Sequence, residues 1–498
     1  MKALILTEGG RNIGFGHLTR CLAFAQALKV HTATRNSKID IVVCGEASAK
    51  QFLNKQGVQP VLADWIRHRA KILGRVKAAD LILIDSYKAP AALYSWVARL
   101  NPDAVILAIN DFKRLDYDVD AVINPSVYGD ELKYKKDVYG QGRPQYLLGK
   151  DYIIVRQEFQ RQKRKSIRRA VKNILVTLGG MDHGNFLQRM ADFLLNNYPH
   201  MQFGMVTAQK NLKLKAQSLK RYSGLSAAAM KKLMERSDLC ISGCGQTLHE
   251  LARCGTPTVG ICLADNQRLN ARYFQEKGFL QYAGEAKDRN IFLNVGQGMQ
   301  RLANSRIREQ RSAVGQRLVD GQGAARIIAV ALQIKKEKIM TLRPVRRADC
   351  RDIWLWRNHP DVRKYAFQSQ PISYAEHQKW FQQMERAPQV ELYIAENLKK
   401  EKVGQARFYT DCCGASFISV NLNPKFFGRR LGSRLIKDAT QIFLKRNPAV
   451  KHVLAEIISS NVSSQKAFAK AEYRHFKRSR KDDQSIVTYV FRRDDGCN

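Results

Sequence analysis

The chain contains no run of about twenty apolar residues, the length that a membrane-crossing helix needs, although 45% of its 498 residues are hydrophobic. A membrane partner is therefore not expected. The opening stretch "MKALILTEGG" has too short an apolar run for a signal peptide. The ten cysteines are scattered without paired CxxC spacing. Neither a structural metal nor a disulfide framework is expected, and the thiols read as those of a reduced, cytoplasmic protein. Zinc-finger spacing, an RNP motif, a basic zipper and low-complexity tracts are all missing. Acidic residues are few, 44 against 84 Lys and Arg, which gives a formal charge of +40. Such an excess favours anionic partners. It is spread along the chain, with one denser cluster at "RQKRKSIRRAVK" (161–172). Nucleic acid is thus not the expected partner, and phosphorylated ligands remain.

At 498 residues the chain exceeds one ordinary core, so two or three domains are expected. The first stretch alternates short Val/Ile/Leu-rich runs ("KALILT", "IDIVVCG", "ADLILID", "DAVILAIND", "AVINPS") with helix-length segments. That pattern predicts a doubly wound parallel sheet. It restarts after the basic cluster with "NILVTLGG", "MQFGMVT", "DLCISGCG" and "PTVGICL". A third segment opens near Met340 and reads as an α+β module. The expected fold is α/β, with Rossmann-like halves at 1–160 and 170–332 and an α+β domain at 340–493.

Three strand-to-turn junctions carry the chemistry. In "GFGHLTRC", Gly14 and Gly16 permit close backbone approach. The helix that follows offers unpaired amides and a partial positive charge to an anion. His17 at that junction is either a packing or capping residue, or a base beside something anionic. The turn "SGCGQTLHELARCGTP" holds Gly245, Thr247 and Glu250, and Glu250 can accept two ribose hydroxyls or simply favour a helix start. The third junction, "TLGGMDHGN", contains Gly180. Together the three point to a nucleotide-diphosphate ligand. Trp354, Trp356 and Trp380 at helical spacing read as core residues before sugar-stacking ones.

These stretches, with "LILIDSY", "NDFKRLDYDVDAVINP", "LLGKDYIIVRQEF" and "ADNQRLNA", resemble the PseG family over residues 1–330. These are UDP-sugar hydrolases of pseudaminic acid biosynthesis with a fold similar to the glycosyltransferase MurG. The resemblance implies hydrolysis of UDP-2,4-diacetamido-2,4,6-trideoxy-β-L-altropyranose, without a metal, by water attacking the anomeric carbon. It implies His17 as general base and Asn266, beside Gln267, as a catalytic-site residue. Asp85, Tyr87 and Asp111 would line the sugar side, and Thr247 and Glu250 would hold the nucleotide. Cys244 replaces a usual glycine, and His183 a common proline.

Residues 340–493 resemble GNAT acetyltransferases of the PseH group, which acetylate a 4-amino sugar from acetyl-CoA. The carriers are "LRPVRRADCRDIWLWRNHPDVRKY", "ISVNLNPKFFGRRLGSRLIKDA" and "ISSNVSSQKAFAKAEYRHF". The resemblance implies that Gly428, Arg429, Arg430, Leu431, Gly432 and Ser433 hold the coenzyme pyrophosphate. Leu422 would border the pantetheine, and Asn461 and Ser464 would flank the coenzyme. Phe427 and Arg430 depart from the usual turn. Phe468 stands where a general-acid tyrosine is common, with Glu472 before Tyr473. The expected function is thus bifunctional: N-acetylation of UDP-4-amino-4,6-dideoxy-N-acetyl-β-L-altrosamine, then hydrolysis of the product. A MurG-like glycosyltransferase and a basic nucleic-acid-binding protein with degenerate domains are the rival readings.

Overall fold

The computed structural model describes residues 1–10, 13–134, 144–179, 185–207, 217–481 and 484–493. The chain divides into two compact units. The first is built from Met1–Tyr94, Ile106–Tyr134 and Tyr146–Val330, and the second around residues 331–493 with Ser95–Val105.

The apolar runs become two sheets. The first has strands in the order Val61–Leu62, Lys38–Gly45, Lys2–Gly9, Leu81–Asp85, Val105–Ile109, Ala121–Asn124 and Gln145–Leu148. Lys2–Gly9 pairs in parallel with both Lys38–Gly45 and Leu81–Asp85. Numbered along the chain, the order is 3-2-1-4-5-6-7. The second sheet runs Leu219–Tyr222, Gln202–Val206, Asn173–Thr177, Leu239–Gly243, Thr258–Cys262, Leu280–Glu285, which is 3-2-1-4-5-6, all parallel. In both, the winding reverses between the first and fourth strands. At such a reversal the helices leave towards opposite faces, and doubly wound sheets bind their ligands beyond the strand ends there. Helices sit on both faces because central strands such as Leu81–Asp85 and Val105–Ile109 are buried at every position.

The helix Gly16–Val30 lies close against the first strand. A Cβ at Gly9 would fall 2.6 Å from the Leu18 side chain, so only glycine admits that packing. The segment before the second sheet also packs into that sheet's core: Tyr128, Ile153 and Phe159 share a cluster with Leu248 and Phe274.

The third sheet, in the second unit, orders its strands Met340–Pro344, Val390–Asn397, Lys402–Thr410, Ser416–Leu422, His452–Ile458, Gln484–Arg492 and Arg474–Lys481. Its pairings are antiparallel except one. Ser416–Leu422 meets His452–Ile458 in parallel at only two positions, Ser416 with Val453 and Phe417 with Leu454. Beyond them the strands part. One face packs on the helix Leu431–Arg446, where Phe408 and Phe443 stack at 4.2 Å. On the other, Ile394 packs with Ile353, Trp356 and Phe381 of the helices Cys350–Asn358 and Tyr374–Arg386. The architecture is two Rossmann-like parallel sheets followed by an α+β domain.

Candidate functional site

His17, Arg20, Asp85 and Asp111 meet at the switch point of the first sheet, with Tyr87 beside them. His17 is the second residue of the helix that follows the first strand, and Asp85 is the last residue of the fourth strand. His17 Nδ1 lies 2.7 Å from Asp85 Oδ1. Arg20, one helical turn beyond His17, donates from Nε and Nη2 to both oxygens of Asp85 at 2.6 Å. Its Nη1 reaches both oxygens of Asp111 at 3.0 and 2.8 Å, and Tyr87 donates its hydroxyl to Asp111 at 2.6 Å. The ring of Tyr87 stands edge-on to His17, with centroids 4.4 Å apart.

His17, Arg20, Asp85 and Asp111 are buried, Asp85 fully and His17 at 6% exposure, while Tyr87 is half-buried. Burial works against charge on Asp85, but Arg20 and His17 outweigh it and hold the carboxyl well below the usual carboxylate range. Burial likewise opposes the charge on Arg20, and Asp111 and Asp85 overcome it, raising the guanidinium well above its ordinary value. Burial and then Asp111 push the Tyr87 hydroxyl far up, so it stays a neutral donor. One guanidinium and two carboxylates leave a single net negative charge while the imidazole is neutral.

Two residues that build the site, Arg20 and Glu8, were not among those singled out from sequence. Arg20 lies three residues after His17, on the same helix face, and that spacing was the available signal. Glu8, 1% exposed at the end of the first strand, accepts the Tyr87 amide at 2.7 Å and the Ser86 hydroxyl at 3.0 Å. It fixes the loop that carries Tyr87. Gly14, at φ +88°, closes a two-residue bridge with Gly10 through a 2.8 Å hydrogen bond. A Cβ at Gly14 or Gly16 would meet nothing within 4 Å, so the backbone there is open to a ligand.

In the second sheet the turn after the fourth strand leads into the helix Thr247–Cys254. Gln267 ties this turn to its neighbour: its Oε1 accepts the Cys244 and Leu263 amides at 3.2 and 3.1 Å. Gly245 and Thr247 are half-buried there, and Asn266 is exposed. Glu250 is buried, and both its oxygens are engaged by the Arg156 guanidinium at 2.6 and 2.7 Å. In this conformation its carboxylate is held by the chain itself. The adjacent His249 is 3% exposed, neither ring nitrogen has a partner among the described residues, and burial pulls its pKa down to about 4. Gly180 lies outside the described residues, as does His183.

In the third sheet, the parting strands leave the backbone amides and carbonyls of Ile418–Leu422 unpaired on one side, a slot for an extended amide-bearing chain. Beside it Gly428 (φ +78°) and Arg430 (φ +59°) turn the chain into the helix Leu431–Arg446. The first-turn amides, those of Leu431, Gly432 and Ser433, have no helical acceptor. That geometry fits a pantetheine arm ending in a pyrophosphate. Arg429 is paired with Glu337 at 2.6 Å. Leu422 is half-buried at the strand end. Asn461 caps the helix Val462–Lys470 by accepting the Ser464 amide at 3.0 Å. Phe468 is buried, and Tyr473 is 3% exposed with its hydroxyl 2.7 Å from that of Thr440. No group of three or more metal-binding side chains occurs among the described residues. Nor is any helix among them long and apolar enough to cross a membrane.

Residues 340–474 match the family model of the acetyltransferase (GNAT) domain. An uncharacterized protein of Methanocaldococcus jannaschii is 22% identical over 508 aligned positions, which span 97% of this chain and 99% of its own. The spore coat polysaccharide biosynthesis protein SpsG of Bacillus subtilis is 26% identical over 355 positions, 68% of this chain and 100% of its own. A Helicobacter pylori protein is 28% identical over 137 positions, 28% of this chain and 25% of its own. It is named pseudaminic acid cytidylyltransferase and UDP-2,4-diacetamido-2,4,6-trideoxy-beta-L-altropyranose hydrolase. A crystal structure of an aminoglycoside acetyltransferase with coenzyme A is 21% identical and covers 31% of this chain and 95% of its own, at a TM-score of 0.28. The C-terminal part of this chain is a GNAT acetyltransferase domain, and it follows two Rossmann-like parallel sheets.

Proposed function

We propose that this protein acetylates a UDP-linked 4-amino sugar and hydrolyses the acetylated product to UDP and free sugar. The observation that carries the hydrolytic half is the His17–Asp85 pair at the crevice end of the first sheet, braced by Arg20 and Asp111. The names of the Helicobacter and Bacillus relatives support a sugar-biosynthetic setting.

The chemistry follows from the atoms. Asp85, ionised and buried, accepts the Nδ1 proton of His17 and leaves the Nε2 lone pair as base. Nε2 takes a proton from water as the water oxygen attacks the anomeric carbon and the C1–oxygen bond to UDP breaks. The leaving diphosphate takes the bonding pair. A positioned base contributes about 10²–10⁴-fold, and amides at helix starts stabilise the departing anion. Glu250 reaches a ribose only if Arg156 releases it.

In the GNAT domain acetyl-CoA supplies the acetyl group. The slot along Ile418–Leu422 holds its pantetheine, and the amides of Leu431–Ser433 hold its pyrophosphate. The neutral acceptor amine attacks the thioester carbonyl, the C–S bond breaks, and the proton that the amine loses passes through solvent to the departing thiolate. Tyr473 is turned into the core and donates no proton to the thiolate.

The test supplies the UDP-linked amino sugar with acetyl-CoA and follows UDP release by ³¹P NMR. Acetylation followed by UDP release is expected. His17→Asn should abolish release while sparing acetyl transfer. UDP release that depends on an added sugar acceptor would favour a glycosyltransferase instead.

A further inference from the structure

The GNAT sheet carries a cation that nothing so far explains. Arg407, half-buried on the strand Lys402–Thr410, has no carboxylate and no hydrogen-bond acceptor among the described residues. Its only assigned contact is the Trp380 ring, with the guanidinium carbon 5.6 Å from the centroid. Burial alone lowers its pKa, and a guanidinium so placed remains charged at neutral pH.

The register fixes which way it faces. Arg407 lies opposite Leu392 on one side and Ser419 on the other, and Gln405 opposite Ile394 and Asn421. Directly opposed residues share a face. Ile394 packs on the helices Cys350–Asn358 and Tyr374–Arg386, so this is their face. Phe408 points the other way, onto Phe443. A coenzyme entering from the helix Leu431–Arg446 and threading between the parting strands delivers its thioester to the Arg407 face. Gln405 is only 3% exposed there, and its Oε1 has no partner among the described residues. Ser419 is exposed and Asn421 half-buried. A packing face would not gather a lone cation, an unsatisfied amide and two further polar side chains beside the opening. Unmet hydrogen-bonding groups of this kind are costly unless a ligand meets them.

We propose that Arg407, with Ser419 and Asn421, forms an anion site on the acetyl-acceptor side that reads the phosphate of a nucleotide-linked amino sugar, with the unmet Oε1 of Gln405 beside it accepting from a hydroxyl or amine of the sugar. The site deepens the function proposed above and rests on it for the identity of the sugar. It predicts that the domain acetylates the nucleotide-linked amine in preference to the free sugar.

Two measurements on the full chain test it. In the first, UDP is titrated calorimetrically with coenzyme A saturating its own site. Wild type should bind one more equivalent of UDP than Arg407→Met, and inorganic pyrophosphate should compete for it where uridine does not. Equal stoichiometry and affinity in the two proteins would overturn the site. In the second, acetyl transfer is followed with the UDP-linked and the free amino sugar. Arg407→Met should raise KM for the UDP-linked acceptor by roughly 10- to 100-fold, the effect of one charge-assisted contact. kcat, KM for acetyl-CoA and turnover of the free sugar should stay unchanged, with Arg407→Lys in between. An equal loss with both acceptors would reduce Arg407 to a structural role. Loss of the UDP equivalent in the variant, with no transfer to the UDP-linked amine by wild type, would sink the proposed function and leave the anion site standing.

Discussion

Nδ1 of His17 lies 2.7 Å from Oδ1 of Asp85, at the end of the strand that reverses the winding of the first sheet. In the proposed mechanism the carboxylate fixes the imidazole tautomer, so its loss should act on the base and not on binding. Asp85→Asn presents an amide that donates to Nδ1 and moves the ring proton to Nε2, where it blocks proton uptake. Hydrolysis should fall by about 10²–10⁴ in kcat, with acetyl transfer unchanged. UDP release and coenzyme A release, measured on the same sample, check this; an unchanged kcat would remove Asp85 from the role.

Arg20 holds the two carboxylates apart and neutralises one of them. Arg20→Met would leave Asp85 and Asp111 buried without their cation, a change that costs about 3–5 kcal/mol in comparable buried pairs. Arg20→Lys keeps the charge but not the fork that reaches four oxygens, so it should lie between. Denaturant unfolding of the first unit reads both. Adding Asp111→Asn to Arg20→Met should recover part of the loss, because one uncompensated charge is then gone.

Much of this was legible in the sequence, for a physical reason. Parallel strands are buried on both sides and therefore read as unbroken Val/Ile/Leu runs. A glycine-bearing strand end marks where a helix starts, so "GFGHLTRC" singled out His17 as a candidate, whereas Asp85 in "IDSY" came only from the family resemblance. What escaped depends on distance in space. Arg20 looks like an ordinary helix cation until Asp85 and Asp111, 65 and 91 residues away, are seen around it. Arg156 gives no hint that it will occupy Glu250. The edge strand Arg474–Lys481 is exposed at every position. With no buried face it has no alternating pattern, and only its pairing with Gln484–Arg492 makes it a strand.

Asp349 gives the second unit an acid-sensitive tie. It is 1% exposed and accepts from Arg343 at 2.7 and 2.9 Å and from the Arg346 amide at 2.8 Å, with Lys402 at 2.7 Å. Burial would raise its pKa, but Arg343, Lys402 and the amide overcome it and bring it to about 2. A carboxyl depressed on folding stabilises above its unfolded pKa, near 3.9. That stabilisation fades as pH falls from about 4 to about 2. Asp349→Asn should therefore cost roughly 2 kcal/mol at pH 7, and the gap from wild type should close towards pH 2. A gap of the same size at pH 7 and pH 2.5 would show that charge is not its source.

The proposed coenzyme slot can be tested apart from the proposed hydrolytic site because the two rest on different sheets. Gly432 is the second residue of the helix Leu431–Arg446, and a Cβ there would lie 3.3 Å from Leu422 Cδ1, at the end of the parting strand. Gly432→Val puts branched carbon where the first-turn amides must face a pyrophosphate. KM for acetyl-CoA should rise at least tenfold, corresponding to about 1.4 kcal/mol of lost binding. Hydrolysis of a pre-acetylated UDP-sugar should proceed at the wild-type rate, since His17, Asp85 and Arg20 are untouched. If the variant binds acetyl-CoA as wild type does, the pyrophosphate lies elsewhere and the slot along Ile418–Leu422 loses its assignment.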